Sequence, residues 1–160
     1  MNNGNLEYLN ETIIPKFFDI KSNKTSHEAL YSSNDGTKLI SGYIPPDNSD
    51  KHFYTHICYH TMKKSLELLL KNNTNKPSII VETGCSTNQG TKSTTLWDMF
   101  VNKFGGSVYS VDLDNRAVLN ANKMTSDKTL VTCKDSVEYL QTFSKPIDFL
   151  YLDSYDVDFS

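Results

Sequence analysis

Four clusters of polar residues in the second half of the chain have the types and spacing for ligand chemistry. The first is Glu82-Thr83-Gly84-Cys85-Ser86-Thr87-Asn88-Gln89-Gly90-Thr91-Lys92-Ser93-Thr94. Its glycines let the backbone turn tightly and approach a ligand, and a helix opening after such a loop offers free N–H groups. The second is Asp112, 22 residues beyond Gly90. A carboxylate at about that spacing can accept hydrogen bonds from two ribose hydroxyls. The third is Asp135-Ser136, where a carboxylate can meet an adenine amino group. The fourth, Asp153-Ser154-Tyr155-Asp156, would face whatever lies next to the nucleoside.

Each cluster has an ordinary reading too. Gly84 and Gly90 can serve a loop, Asp112 a turn, Asp135 a helix cap and Asp153 a strand end. Their combination argues for a site. Glu82 adds to it, because a carboxylate on a buried strand is costly without a partner. A cationic ligand group or backbone N–H groups would supply one. His52, His56 and His60 recur at i, i+4 and i+8. Three imidazoles can bind a metal, but this stripe spans more than two turns, too far for one ion. It reads as a solvent-facing or pocket-rim stripe, with a general base available should the helix lie over a ligand.

The elements that must position these groups follow from periodicity. Phe53 to Lys71 is helical, with Cys58, Met62, Leu66 and Leu69-Leu70 on one face, and Asn72-Asn73 and Pro77 end it. Ser78 to Thr83, Ser107 to Asp112, Leu130 to Cys133 and Pro146 to Asp153 read as strands. The last is apolar on both faces and is expected in the middle of a sheet. Ser93 to Phe104, Asn115 to Met124 and Asp135 to Phe143 read as helices. Asp114 is a candidate N-cap, and Asp135 with Glu138 has capping-box spacing. Such alternation predicts an α/β fold, a Rossmann-like parallel sheet with helices on both faces. All four clusters then fall at the carboxyl ends of strands, where such sheets bind ligands.

Residues 1–50 are polar and read as an N-terminal extension with little regular structure. Residues 51–160 read as the folded domain. The whole chain has 160 residues with 16 basic and 19 acidic ones, a net charge of −3. Its 38% hydrophobic and 22% charged content is that of a globular domain rather than a disordered one. No apolar run approaches the ~20 residues of a membrane-spanning helix, and the N-terminus shows no secretory signal. Three cysteines, Cys58, Cys85 and Cys133, argue against a disulfide scaffold and for a reducing, cytoplasmic setting. Cys58 and Cys85 read as small buried residues. Arg116 is the single arginine, so no nucleic-acid surface is expected.

VETGCSTNQG, SVDLD, CKDS and DFLYLDSYD together resemble the opening motifs of class I S-adenosylmethionine-dependent methyltransferases. The resemblance covers about residues 53–160, and VETGC followed by GTKST is similar to a small-molecule subgroup with an expanded glycine loop. It implies S-adenosylmethionine as cofactor and a small-molecule methyl acceptor as partner. It implies that Glu82 and Gly84 lie by the methionine part, that Gly90 also belongs to the cofactor-binding loop, that Asp112 takes the ribose hydroxyls, and that Leu113 packs on the adenine. Asp135 and Ser136 would contact the adenine edge, and Asp153 would face the methyl group and acceptor, with Tyr155 and Asp156 as alternates. The family's sheet has seven strands. This chain is expected to be truncated after the fourth, which would be left as an exposed apolar edge, and the positions that complete a metal site in family members are absent. A divalent metal therefore has no complete ligand set here.

Three other readings compete. Gly84 to Ser93 faintly resembles the phosphate-binding pattern G-x-x-x-x-G-K-[ST], though five residues separate the glycines and Thr91 precedes Lys92. A P-loop must converge its N–H groups on one phosphate, so both errors count against it. A nicotinamide site would explain Asp112 but wants G-x-G-x-x-G, which is absent. The third reading is a non-catalytic, cofactor-binding remnant.

Overall fold

The structure, a computed structural model, describes residues 3–17, 59–73, 76–85 and 93–153. The chain divides into two compact units, residues 2–68 and 69–160.

In the first unit, α1 (Asn3–Tyr8) runs into a π-helical turn, Leu9–Ile13, closed by Ile14 N–H donating to Leu9 O. Leu9, Ile13, Ile14 and Phe17 are buried. Their spacing of four, one and three residues is a helical face. The expected irregular extension is therefore helical over residues 3–17, because these few apolar residues are correctly spaced despite the polar composition around them. Asn10 Nδ2 donates to Glu67 Oε1 at 3.1 Å. Glu67 lies on α2 (Tyr59–Asn72), whose Met62, Leu66 and Leu69 are buried. The start of that helix at Phe53, together with Cys58, His52 and His56, lies outside the described residues, as does the side chain of His60.

The second unit is an α/β layer. Its strands are β1 (Ser78–Thr83), β2 (Gly106–Asp112), β3 (Thr129–Cys133) and β4 (Phe149–Leu152). The helices between them are α3 (Ser93–Phe104), α4 (Asn115–Met124) and α5 (Ser136–Thr142). All pairings are parallel, in the order β3-β2-β1-β4. The chain builds outward from β1 to β3 and then crosses back to place β4 on the other side of β1. The sheet is thus Rossmann-like, with its topological switch point between β1 and β4.

The register puts Ile80, Glu82, Val108, Ser110, Val131, Phe149 and Tyr151 on one sheet face. Helices α3 and α4 cover it. Trp97 is fully buried, 5.1 Å from the Phe149 ring and 5.3 Å from Tyr151. Ala117, Val118 and Ala121 of α4 cluster with Val131 and Cys85. On the other face, Tyr109 meets Phe143 at the end of α5, ring centroids 5.2 Å apart. Helices therefore lie on both faces, as the alternation predicts.

Two glycines turn α3 into β2. Gly105 has φ +90° and its N–H caps the helix on Val101 O at 2.9 Å. Gly106 has φ +130°, and a Cβ there would lie 2.1 Å from Ser78 O. No side chain fits between these strands at that point.

β4 does not take the central place that its two apolar faces suggest, but the edge place that the resemblance implies. Among the described residues it pairs only with β1, at an edge. Phe149 and Tyr151 reach Trp97, but Leu152 on the opposite face is 67% exposed. Apolar residues on both sides of a strand report its potential for burial, and among the described residues only one row here meets a helix. Among the described residues, no helix is long and apolar enough to cross a membrane.

Candidate functional site

Parallel pairing brings the ends of all four strands to one edge. Thr83 is level with Val111 and Leu152, and Asp112 with Cys133. Backbone hydrogen bonds then tie the outgoing loops together. Gly84 N–H donates to Val111 O at 2.8 Å, Lys134 N–H to Asp112 O at 3.0 Å, and Asp153 N–H to Thr83 O at 2.8 Å. Gly84 makes the first turn with φ +83°, a left-handed conformation that glycine adopts without strain.

Asp112 is the hub of this edge. Its Oδ2 accepts Cys85 N–H at 2.9 Å and its Oδ1 accepts Asp114 N–H at 2.8 Å. Those two bonds fix the plane of a half-buried carboxylate at the carboxyl end of β2. Each oxygen holds one backbone donor, and a carboxylate has about four lone-pair sites in all. The remaining sites can take a pair of hydroxyls. Leu113 follows at once and is 71% exposed, an apolar side chain standing free beside the carboxylate.

Glu82 has a different environment from the one expected. It is fully buried, and its partners are side chains of this chain rather than a ligand cation or backbone N–H groups. Ser93 Oγ and Thr94 Oγ1 each donate at 2.5 Å, Ser110 Oγ at 2.7 Å and Trp97 Nε1 at 2.9 Å. Burial pushes the carboxyl above its ordinary range, and the four donors pull against that rise. Glu82 thus fastens the head of α3 onto β1 and β2, and fixes where the loop from Gly84 must return. Spacing could not reveal these partners, 11 to 28 residues away. The usable signal was a buried indole, which nearly always finds an acceptor.

Asp135 caps α5, its Oδ1 accepting Glu138 N–H at 2.9 Å. The reciprocal half of the capping box gives way to an ion pair, Lys134 Nζ to Glu138 Oε1 at 2.9 Å. Ser136 opens the helix beside it. Asp114 caps α4 through Arg116 N–H. Asp153 is exposed at the end of β4. Glu82, Gly84, Asp112, Leu113, Asp135, Ser136 and Asp153 therefore occupy one end of the sheet, with Glu82 turned into its interior. Gly90, Lys92, Ser154, Tyr155 and Asp156 lie outside the described residues.

Cys85 is buried against α4, as expected. Burial, with Asp112 and Glu82 adding negative charge, pushes its thiol up to about 12. At neutral pH it stays protonated and is no nucleophile. Among the described residues, no group of three or more His, Cys, Asp or Glu side chains is placed to hold a metal ion.

No protein-family model, curated protein or solved structure matches this chain. The functional reading therefore rests on this edge and its chemistry.

Proposed function

We propose that the carboxyl edge binds S-adenosylmethionine and that the chain belongs to an enzyme transferring its methyl group to a small-molecule acceptor. The observation that carries this is Asp112, a carboxylate with fixed orientation and spare lone pairs, one strand from a glycine turn at the switch point. That combination suits a ribose diol. Leu113 would give the adenine an apolar surface, and Asp135 with Ser136 would meet its polar edge. Gly84 lets the backbone approach the amino-acid part. When bound, the cofactor supplies an electrophilic methyl group on a sulfonium. The chain's task is then to orient the acceptor in line with that group, and a base is needed only if the attacking atom carries a proton. Asp153, across the switch point from Asp112, is the residue assigned to the acceptor.

The phosphate-binding alternative is weakened by Ser93 and Thr94. A P-loop needs the hydroxyl at the head of the helix for its magnesium ion. Here both hydroxyls at the head of α3 donate to Glu82. Calorimetric titration with S-adenosylhomocysteine, and in parallel with ATP plus magnesium, separates the two readings. The proposal expects binding of the first only. Binding of ATP alone would reverse the assignment.

A further inference from the structure

We draw no further inference here: the strongest candidate, the apolar face of the edge strand β4 formed by Leu150 and Leu152, beside the buried Thr83 hydroxyl, carries nothing, because among the described residues nothing shows what covers it.

Discussion

The two ends of the sheet treat their carboxylates differently. At the amino end, Asp98 is nearly buried and fully committed. Its Oδ1 accepts Ser126 N–H, Ser126 Oγ and Thr129 Oγ1 at 3.1, 2.7 and 2.6 Å, and its Oδ2 accepts Asn102 Nδ2 at 3.1 Å. Asp148, just before β4, takes Ile79 N–H at 2.9 Å and Lys76 Nζ at 2.6 Å. At the carboxyl end, backbone N–H groups orient Asp112 and Asp135, and Asp135 and Asp153 are exposed. One end uses acids as internal fasteners. The other presents Asp112 and Asp135 oriented by backbone N–H groups at the strand ends. The same contrast holds for glycine: Gly106 at the amino end is there because nothing larger fits, whereas Gly84 at the carboxyl end shapes a loop exit.

The comparison can be broken most sharply at Gly106. In Gly106→Ala the new Cβ would meet the Ser78 backbone, at 2.1 Å from its oxygen and 2.7 Å from its nitrogen. Backbone cannot swing aside as a side chain can, so we expect a loss of more than about 3 kcal/mol in urea denaturation, or no soluble fold. Gly105→Ala meets no atom within 4 Å and bears only the penalty of its φ of +90°, about 1–2 kcal/mol. Equal losses for the two would refute the close approach.

Asp98→Ala comes next. It would strand the Ser126 N–H and the Thr129 hydroxyl, and about 3 kcal/mol should be lost. Asp112→Ala exposes its two N–H donors to a more open edge and should cost less stability than Asp98→Ala while removing cofactor affinity. The reverse ranking in chemical denaturation would end the distinction between fastening and presenting acids.

A smaller effect depends on pH. Partial burial acts to raise the Asp148 carboxyl, but Lys76, the Ile79 N–H and Asn73 outweigh it and hold the group below the usual carboxylate range. Its folded value is thus below its unfolded value of about 3.9. The stabilisation it gives is complete above that unfolded value and is lost as pH falls through the folded one. Glu82 has the opposite sign. Its folded value is raised, so its contribution declines as pH rises from about 4.3 through that raised value. Denaturation midpoints measured from pH 3 to 7 should fall less steeply on the acid side in Asp148→Asn than in the wild type. An unchanged acid limb would contradict the ion pair.

Leu113→Ala should have the smallest effect on folding. The side chain is 71% exposed, so stability should stay within about 0.5 kcal/mol. Binding of an adenine nucleoside should nonetheless weaken. A large stability loss would mean that Leu113 is a core residue.

Much of the fold was legible in local pattern. β1 was readable because SIIVET is a short apolar, β-branched run, and α3 because Leu96, Trp97, Phe100, Val101 and Phe104 fall at helical spacing. The Asp114 and Asp135 caps were readable because a cap is a contact of two or three residues. What depended on distant partners was not. β2 and β3 each begin one residue earlier than their apolar runs, at Gly106 and Thr129, since backbone pairing with Ser78 and Val108 extends beyond them. The hydroxyl-and-indole cage of Glu82 depends on which elements pack together. The helix at residues 3–17 was hidden by polar neighbours that do not interrupt its buried face.

Amide-resolved NMR of the labelled chain, titrated with S-adenosylhomocysteine, tests the contrast between the two ends most directly. The account predicts shifts at Gly84, Asp112, Leu113 and Ser136, with Asp98, Ser126 and Asp148 unmoved. Shifts centred on the amino end, or none anywhere in a folded chain, would contradict it.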